Sequence, residues 1–328
     1  MKTFGQENRP PRALAIVGAT ASGKSALALA LAKRLDGEIL SVDSMQVYRG
    51  MDIGTAKPTA AERAEAPHHL IDICDPKTPF SVADYIPLAL SAVRDVFARG
   101  RLPVFCGGTG LYLDSLLRGE APRELASDPA LRGELADFLR ENGAAALHAR
   151  LRAVDPESAD AIHENNTRRV MRALEIYLCS GKPKSVWDRE SRARPQTLDL
   201  CCIRLCHHSR RTLCERIDRR VDAMIEAGLC DEVRRLDDDG VFTANSTAAA
   251  AIGYKELLPV LRGKATLAEA ANDLKLATRH YAKRQDTWFA ARPYAIPLFC
   301  DDGEGRPLPR EELLRAALAL WRDKTNEL

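Results

Sequence analysis

Eight residues near the amino end have the types and spacing to hold phosphate. Gly18-Ala19-Thr20-Ala21-Ser22-Gly23-Lys24-Ser25 fits the pattern G-x-x-x-x-G-K-[ST]. The glycines let backbone N–H groups wrap around an anion, and Lys24 adds a point charge. The Ser25 hydroxyl is a ligand for Mg²⁺. A helix starting here adds partial positive charge at its amino end. The flanks suit the motif. Arg12–Gly18 (RALAIVG) reads as a buried strand, and Ser25–Leu35 is rich in helix formers before Gly37 stops it. The expected ligand is a di- or triphosphate, and the loop alone does not say which.

Other side chains could act on what the loop holds. A second strand, Glu38–Val42, leads into Asp43. A third, Leu102–Cys106, ends in Gly107-Gly108-Thr109, with two glycines for close approach and a hydroxyl beside them. No core strand ends in an Asp suited to a second Mg²⁺ anchor. Asp43 is the carboxylate candidate: a base taking a proton from an acceptor, or a turn cap. Asp43–Pro58 is too rich in Gly and polar residues for one regular element and reads as a functional loop. His68 and His69 are either metal ligands or ordinary histidines. Arg169 and Arg172, one turn apart on a helix over Thr167–Leu178, either grip phosphates or sit in solvent. In Lys275–Trp288, Arg279, Lys283 and Asp286 share a face with Tyr281 and Trp288 interleaved, which suits RNA or a buried amphipathic helix. Cys201, Cys202, Cys206, His207, His208 and Cys214 form the densest thiol cluster. They read as a zinc site or as buried thiols in a strand.

Strand–helix–strand order implies an α/β fold with a parallel sheet, and sites on such sheets lie at the carboxyl ends of strands. Gly18, Asp43 and Gly107 should then share one edge. Ser81 with Asp84 opens a helix that Gly100 ends. Breaks at Pro122, Pro129, Gly143, Pro156 and Gly181-Lys182-Pro183 mark a helical insertion. Leu200–His207 returns as a strand. Arg211–Leu236 and Thr266–Ala291 read as two long helices. The expected division is a first core part at 12–115, an insertion at 116–199, a second core part at 200–299 and a helical tail at 300–328.

The 328 residues suit about two domains. A hydrophobic fraction of 45% and a charged fraction of 29% exclude a disordered chain. The apolar run Ala26–Ala32 is too short for a bilayer, which needs roughly 20 residues. Met1–Arg12 shows no secretory pattern, so a cytoplasmic protein is expected. Net charge is only +2, yet residues 161–220 hold 14 Lys/Arg against 7 Asp/Glu. Nine cysteines without paired spacing argue against a disulfide framework.

The chain resembles the bacterial tRNA dimethylallyltransferase family. The matching stretches are GATASGKS at 18–25, DSMQVYRGMDIGTAKP at 43–58, HHLID at 68–72 and GGTGLY at 107–112. They continue with RALE at 172–175, AIGYKEL at 251–257 and TRHYAKRQDTW at 278–288. The resemblance implies a P-loop NTPase-like core with an inserted all-helical domain that binds the tRNA anticodon arm. It implies transfer of a dimethylallyl group from dimethylallyl diphosphate to the exocyclic amine of adenine, with diphosphate and Mg²⁺ at the phosphate loop. Carried over by position, Gly18, Ala19, Thr20, Ala21, Ser22, Gly23, Lys24 and Ser25 cradle diphosphate, and Arg220 is a further candidate for it. Ser25 holds the metal. Asp43 accepts the amine proton and, with Ser44, Met45 and Gln46, holds a flipped adenine that Thr109 also contacts. Arg168, Arg169, Val170, Met171 and Arg172 correspond to tRNA contacts. So do Ala250, Ala251, Ile252, Gly253, Tyr254 and Lys255. Neither a membrane nor an obligate protein partner is expected, and a monomer is favoured.

Three departures stand out. Ser25 replaces the Thr common in relatives. Glu164-Asn165-Asn166 replaces their Pro-Asn-Asp. No zinc-finger pattern follows Trp288, which suits the bacterial form. A small-molecule kinase with Asp43 as base and a passive RNA-binding module are the competing readings.

Overall fold

A computed structural model describes residues 10–119 and 128–325. Most of the Met1–Arg12 stretch and the break at Pro122 lie outside the described residues. One parallel sheet carries β1 (Arg12–Gly18), β2 (Gly37–Val42), β3 (His68–His69), β4 (Leu102–Gly107), β5 (Asp199–Cys206) and β6 (Ala295–Phe299). The strand order is β3-β2-β4-β1-β5-β6. Ala13 to Val17 are fully buried, as a central parallel strand covered on both faces requires.

The register places the chemistry. Gly107 pairs with Val17 of β1 and with Val42 of β2. Gly18, Asp43 and Gly107 therefore follow one another along one edge. A Cβ on Gly107 would lie 2.0 Å from the Val42 carbonyl, so this approach of β2 to β4 needs glycine.

The helix Lys24–Arg34 buries Leu27, Ala28, Leu31 and Ala32 against the sheet. Ser81 and Asp84 form a capping box on the helix Val82–Ala98, and Thr266 with Glu269 does the same for Leu267–Ala290. The expected single helix over Arg211–Leu236 is two helices, Arg210–Glu226 and Leu229–Asp238. Gly228 sits between them at φ 95°, a backbone state that ends one helix and turns the chain into the next. β3 and β6 had no clear signal. One is two residues long, and the other carries Pro297 at the sheet edge, where proline is tolerated.

The chain divides into two compact units, Met1–Leu117 with Thr197–Leu328, and Arg118–Gln196. The second unit is helical throughout its described residues, with a core of Leu135, Leu147, Leu151, Val170 and Leu174. In the first unit the last helix, Arg310–Thr325, joins the sheet core: Ala317 and Trp321 pack with Leu31, Cys201 and Ile203. No helix among the described residues is long and apolar enough to cross a membrane.

Trp321 is 3% exposed. Trp321→Ala should lower unfolding free energy by about 3–5 kcal/mol in a denaturant titration. A second prediction concerns pH. The Asp301 side chain is fully buried and accepts the N–H groups of His208 (2.7 Å) and Ser209 (3.1 Å) at the start of Arg210–Glu226. Burial pushes its carboxyl up, but these hydrogen bonds outweigh that and hold it below the ordinary 3.8. A depressed folded value adds stability that is full at neutral pH and is lost as pH falls through that value. Thermal melts below pH 4 should therefore be less steeply pH-dependent in Asp301→Asn than in the parent.

Candidate active site

The loop after β1 is shaped by backbone demands. Gly18 has φ 143°, and a Cβ there would lie 2.7 Å from the Leu205 carbonyl. Gly23 has φ 98° and precedes the helix that Lys24 and Ser25 open. The Ser22 hydroxyl is buried without a hydrogen-bond partner. Lys24 Nζ donates to the Ala19 carbonyl at 3.2 Å. Burial pulls the Lys24 ammonium below its ordinary pKa; Cys106 and Asp43 oppose this, and Arg220 adds to it. Arg220 is likewise lowered by burial, with the Asp43 charge opposing. Two desolvated cations thus converge on one carboxylate beside an anion-binding loop.

Asp43 turns the chain out of β2. Its Oδ1 accepts the N–H groups of Met45 (2.8 Å) and Gln46 (3.3 Å). No other side chain among the described residues donates to it. The turn cap therefore uses Oδ1. Thr109 Oγ1 accepts the Ser44 N–H at 3.1 Å, and Thr109 N–H donates to the Val42 carbonyl at 3.1 Å. Tyr281 lies beside this pair. Burial and the Asp43 charge raise its hydroxyl pKa, while hydrogen bonding with Thr109 and Gln285 offsets part of the rise.

Two braces hold the loop in place. Gln285 accepts the Thr20 N–H at 2.8 Å and donates to the Gly108 carbonyl at 3.0 Å. Arg216 Nε donates to the Ala21 carbonyl at 2.8 Å. A cleft of about 820 Å³ is lined in part by Arg49, Lys57, Arg63, Asp72, Arg220 and Met224.

The structure thus brings Gly18 to Ser25, Asp43, Thr109 and Arg220 together. Ser44 to Gln46 continue from Asp43. Ala251, Gly253 and Tyr254 are buried, Ile252 is half-buried, and Ala250 and Lys255 are exposed. Tyr254 has no exposed surface, so its side chain offers nothing to an outside molecule. In the helical unit Arg168 and Arg169 are exposed, and Val170 is fully buried with Met171 packed on the same core. Arg172 donates to buried Glu175 at 2.8 Å. His68 Nδ1 meets the Ala66 carbonyl, and His69 Nε2 meets Glu38 at 2.6 Å. Cys201, Cys202 and Cys206 are buried β5 thiols raised in pKa by burial, and all nine cysteines are free. Among the described residues no group of three His, Cys, Asp or Glu could hold a metal ion.

Sequence reasoning missed Gln285 and Arg216 as site residues, and it placed Tyr281 only in a stretch suited to RNA or to a buried amphipathic helix. Arg279, Lys283 and Asp286 lie at i, i+4, i+7 on the one helix Leu267–Ala290. Arg279 pairs with Asp218 and Asp286 with Arg204. The residues that meet the strand ends are Tyr281, Gln285 and Trp288, spaced i, i+4, i+7. That period was readable.

The sheet, the loop at its carboxyl edge and the inserted helices define a P-loop α/β protein. A family model described as IPP transferase matches residues 46–292, and one described as Isopentenyl transferase matches residues 11–71. The chain is 50% identical over 274 residues to a tRNA dimethylallyltransferase of Geobacillus thermodenitrificans, covering 84% of this chain and 86% of that one. It is 49% identical over 274 residues to that of Bacillus subtilis, with the same shares. A tRNA isopentenylpyrophosphate transferase structure from Bacillus halodurans aligns with TM-score 0.68 and 42% identity over 96% of this chain and 98% of that one. A eukaryotic dimethylallyltransferase acting on tRNA aligns with TM-score 0.73 and 32% identity over 85% of this chain and 70% of that one. The chain belongs to the tRNA dimethylallyltransferase family, and it is a prenyltransferase.

Gln285→Ala removes one brace without touching Asp43, Lys24 or Arg220. It should cut kcat/KM by about tenfold or more, since misplacing reacting groups by about 1 Å costs on the order of a hundredfold. Steady-state kinetics on the purified variant checks this.

Proposed function

We propose that this protein transfers a dimethylallyl group from dimethylallyl diphosphate to N6 of the adenine 3′-adjacent to the anticodon in tRNA. The observation that carries the reading is Asp43 held beside Thr109, within the electrostatic reach of Lys24 and Arg220 at the mouth of the phosphate loop. A transferase needs a held leaving group, a base and room for an acceptor.

The roles follow from chemistry. Backbone N–H groups of the loop hold the diphosphate, and buried Ser22 Oγ has a hydrogen bond to give. Lys24 and Arg220 neutralise charge that builds on the leaving oxygen. The C1–O bond of the dimethylallyl diphosphate breaks as the N6–C1 bond forms. Asp43 takes the N6 proton, and diphosphate leaves. Ser25 is exposed on the first turn of its helix. Its hydroxyl fits a Mg²⁺ that keeps most of its waters and takes few protein ligands. The ion would screen diphosphate charge. Adenine reaches Asp43 only by swinging out of its stack. Ser44, Met45, Gln46 and Thr109 would receive it. In the helical unit exposed Arg168 and Arg169 are suited to contact RNA, with Val170 buried behind them; in the sheet-bearing unit exposed Ala250 and Lys255 are, with Tyr254 buried behind them.

The test is a transfer assay with radiolabelled dimethylallyl diphosphate, Mg²⁺ and unmodified tRNA. Wild type should label the tRNA, and Asp43→Ala should lose at least about a hundredfold in rate, the low end for general base catalysis. ADP formed from ATP without RNA labelling would replace the transferase with a kinase.

A further inference from the structure

We propose that Glu232 is a positioning residue for the transfer, because it anchors the loop that carries Asp43. The inference rests on the function proposed above. Glu232 lies on the helix Leu229–Asp238 and is 3% exposed. Its Oε2 accepts the N–H groups of Asp52 (3.0 Å) and Ile53 (2.8 Å). Its Oε1 accepts the Gly54 N–H (3.1 Å) and the Tyr254 hydroxyl (2.7 Å). Three successive backbone amides converging on an anion is how chains bind phosphate. Here the chain supplies the anion itself. A buried carboxylate is costly unless hydrogen-bonded, and these four donors meet that need.

The path from Glu232 to the reacting carboxylate is short. Just after the anchored amides, the carbonyls of Thr55 and Ala56 each accept from Gln46 Nε2 at 3.2 Å. Gln46 Oε1 accepts from Ser41 Oγ at 2.9 Å, and Gln46 N–H donates to Asp43 Oδ1 at 3.3 Å. Lys57 follows, nearly fully buried, and its Nζ donates to the Tyr48 carbonyl (2.5 Å), Asp52 (2.7 Å) and Asp72 (2.5 Å). The two ends of the loop are thus stitched together, and a shift at 52–54 moves Gln46 and Asp43. Tyr254 completes the anchor from the other side. A Cβ on Gly54 would sit 2.6 Å from its ring, so only glycine lets the loop lie there. Burial first, and then the Glu232 charge, raise the Tyr254 hydroxyl pKa, which keeps it a donor. One carboxylate therefore ties the stretch Asp52-Ile53-Gly54 to Tyr254.

The experiment compares full-length wild type, Glu232→Gln and Tyr254→Phe. In Glu232→Gln one acceptor becomes a donor facing amide donors. Its kcat for transfer should fall about tenfold or more, while KM for dimethylallyl diphosphate stays within about twofold, because the phosphate loop is untouched. Deuterium uptake across residues 43–58 should rise, with β1 and the phosphate loop unchanged. Tyr254→Phe keeps the carboxylate and should give a smaller change in the same direction. Wild-type kinetics in Glu232→Gln would overturn the proposal, and so would a lowered Tm with kcat unchanged. If Glu232→Gln does not fold, the same split in Tyr254→Phe supports the proposal, and wild-type kinetics there overturn it. The exchange measurement needs no transfer activity. A wild-type protein that transfers nothing therefore defeats the function proposed above, whereas unaltered exchange defeats the anchor alone.

Discussion

The carboxamide of Gln285 joins the phosphate loop to the turn after β4. Its oxygen takes the Thr20 N–H and its nitrogen gives to the Gly108 carbonyl. Neither a carboxylate nor an ammonium has both functions. The helix that carries it lies flat on the strand ends because two glycines allow it. A Cβ on Gly108 would lie 2.0 Å from the Gln285 amide nitrogen, and one on Gly110 would lie 2.2 Å from Trp288. Arg216 holds the same loop from another helix through the Ala21 carbonyl. The phosphate loop, Thr109 and Tyr281 are thereby parts of one braced unit.

That unit carries an electrostatic load. Lys24 and Arg220 are both held below their ordinary pKa by burial, and Asp43 offsets only part of it. Lys24 rests on the carbonyl of Ala19 from its own loop. On the proposed reading, a diphosphate entering such a pocket would supply the negative charge the cations lack, and its departure would restore the imbalance. On the function proposed above, binding energy and leaving-group stabilisation would come from the same two side chains. The long loop after Asp43 is kept rigid differently, by seating Val47, Tyr48 and Met51 with Val233 and Tyr254 in an apolar cluster.

Local signals carried much of this fold. β1 and the helix after it were readable because a buried parallel strand is a plain apolar run and the glycine loop is punctuated. Placing Gly18, Asp43 and Gly107 on one edge followed from strand order alone. The break at Gly228 was harder, since a lone glycine in a helical stretch either stays helical or ends it. β6 was hidden by Pro297. In the site, the residues with obvious chemistry, Lys24, Ser25, Asp43 and Thr109, were legible because each lies shortly after a readable strand end. Gln285, Arg216 and Glu232 were not. Their backbone partners lie from 177 to 265 residues away along the chain, and nothing local announces such a contact. Tyr254 was read as an RNA contact from its motif, yet its hydroxyl is spent on Glu232.

The distribution of thiols has a practical consequence. Of nine free cysteines, Cys74, Cys201, Cys202, Cys206 and Cys300 are buried in the sheet-bearing unit, and burial raises the pKa of each. Cys179, on the helical insertion, is exposed. Thiolates, not thiols, react with alkylating agents. A maleimide dye added to native protein should therefore tag the insertion first. The core sulfurs stay silent until the sheet opens, so the chain carries its own spectroscopic handle and its own unfolding clock.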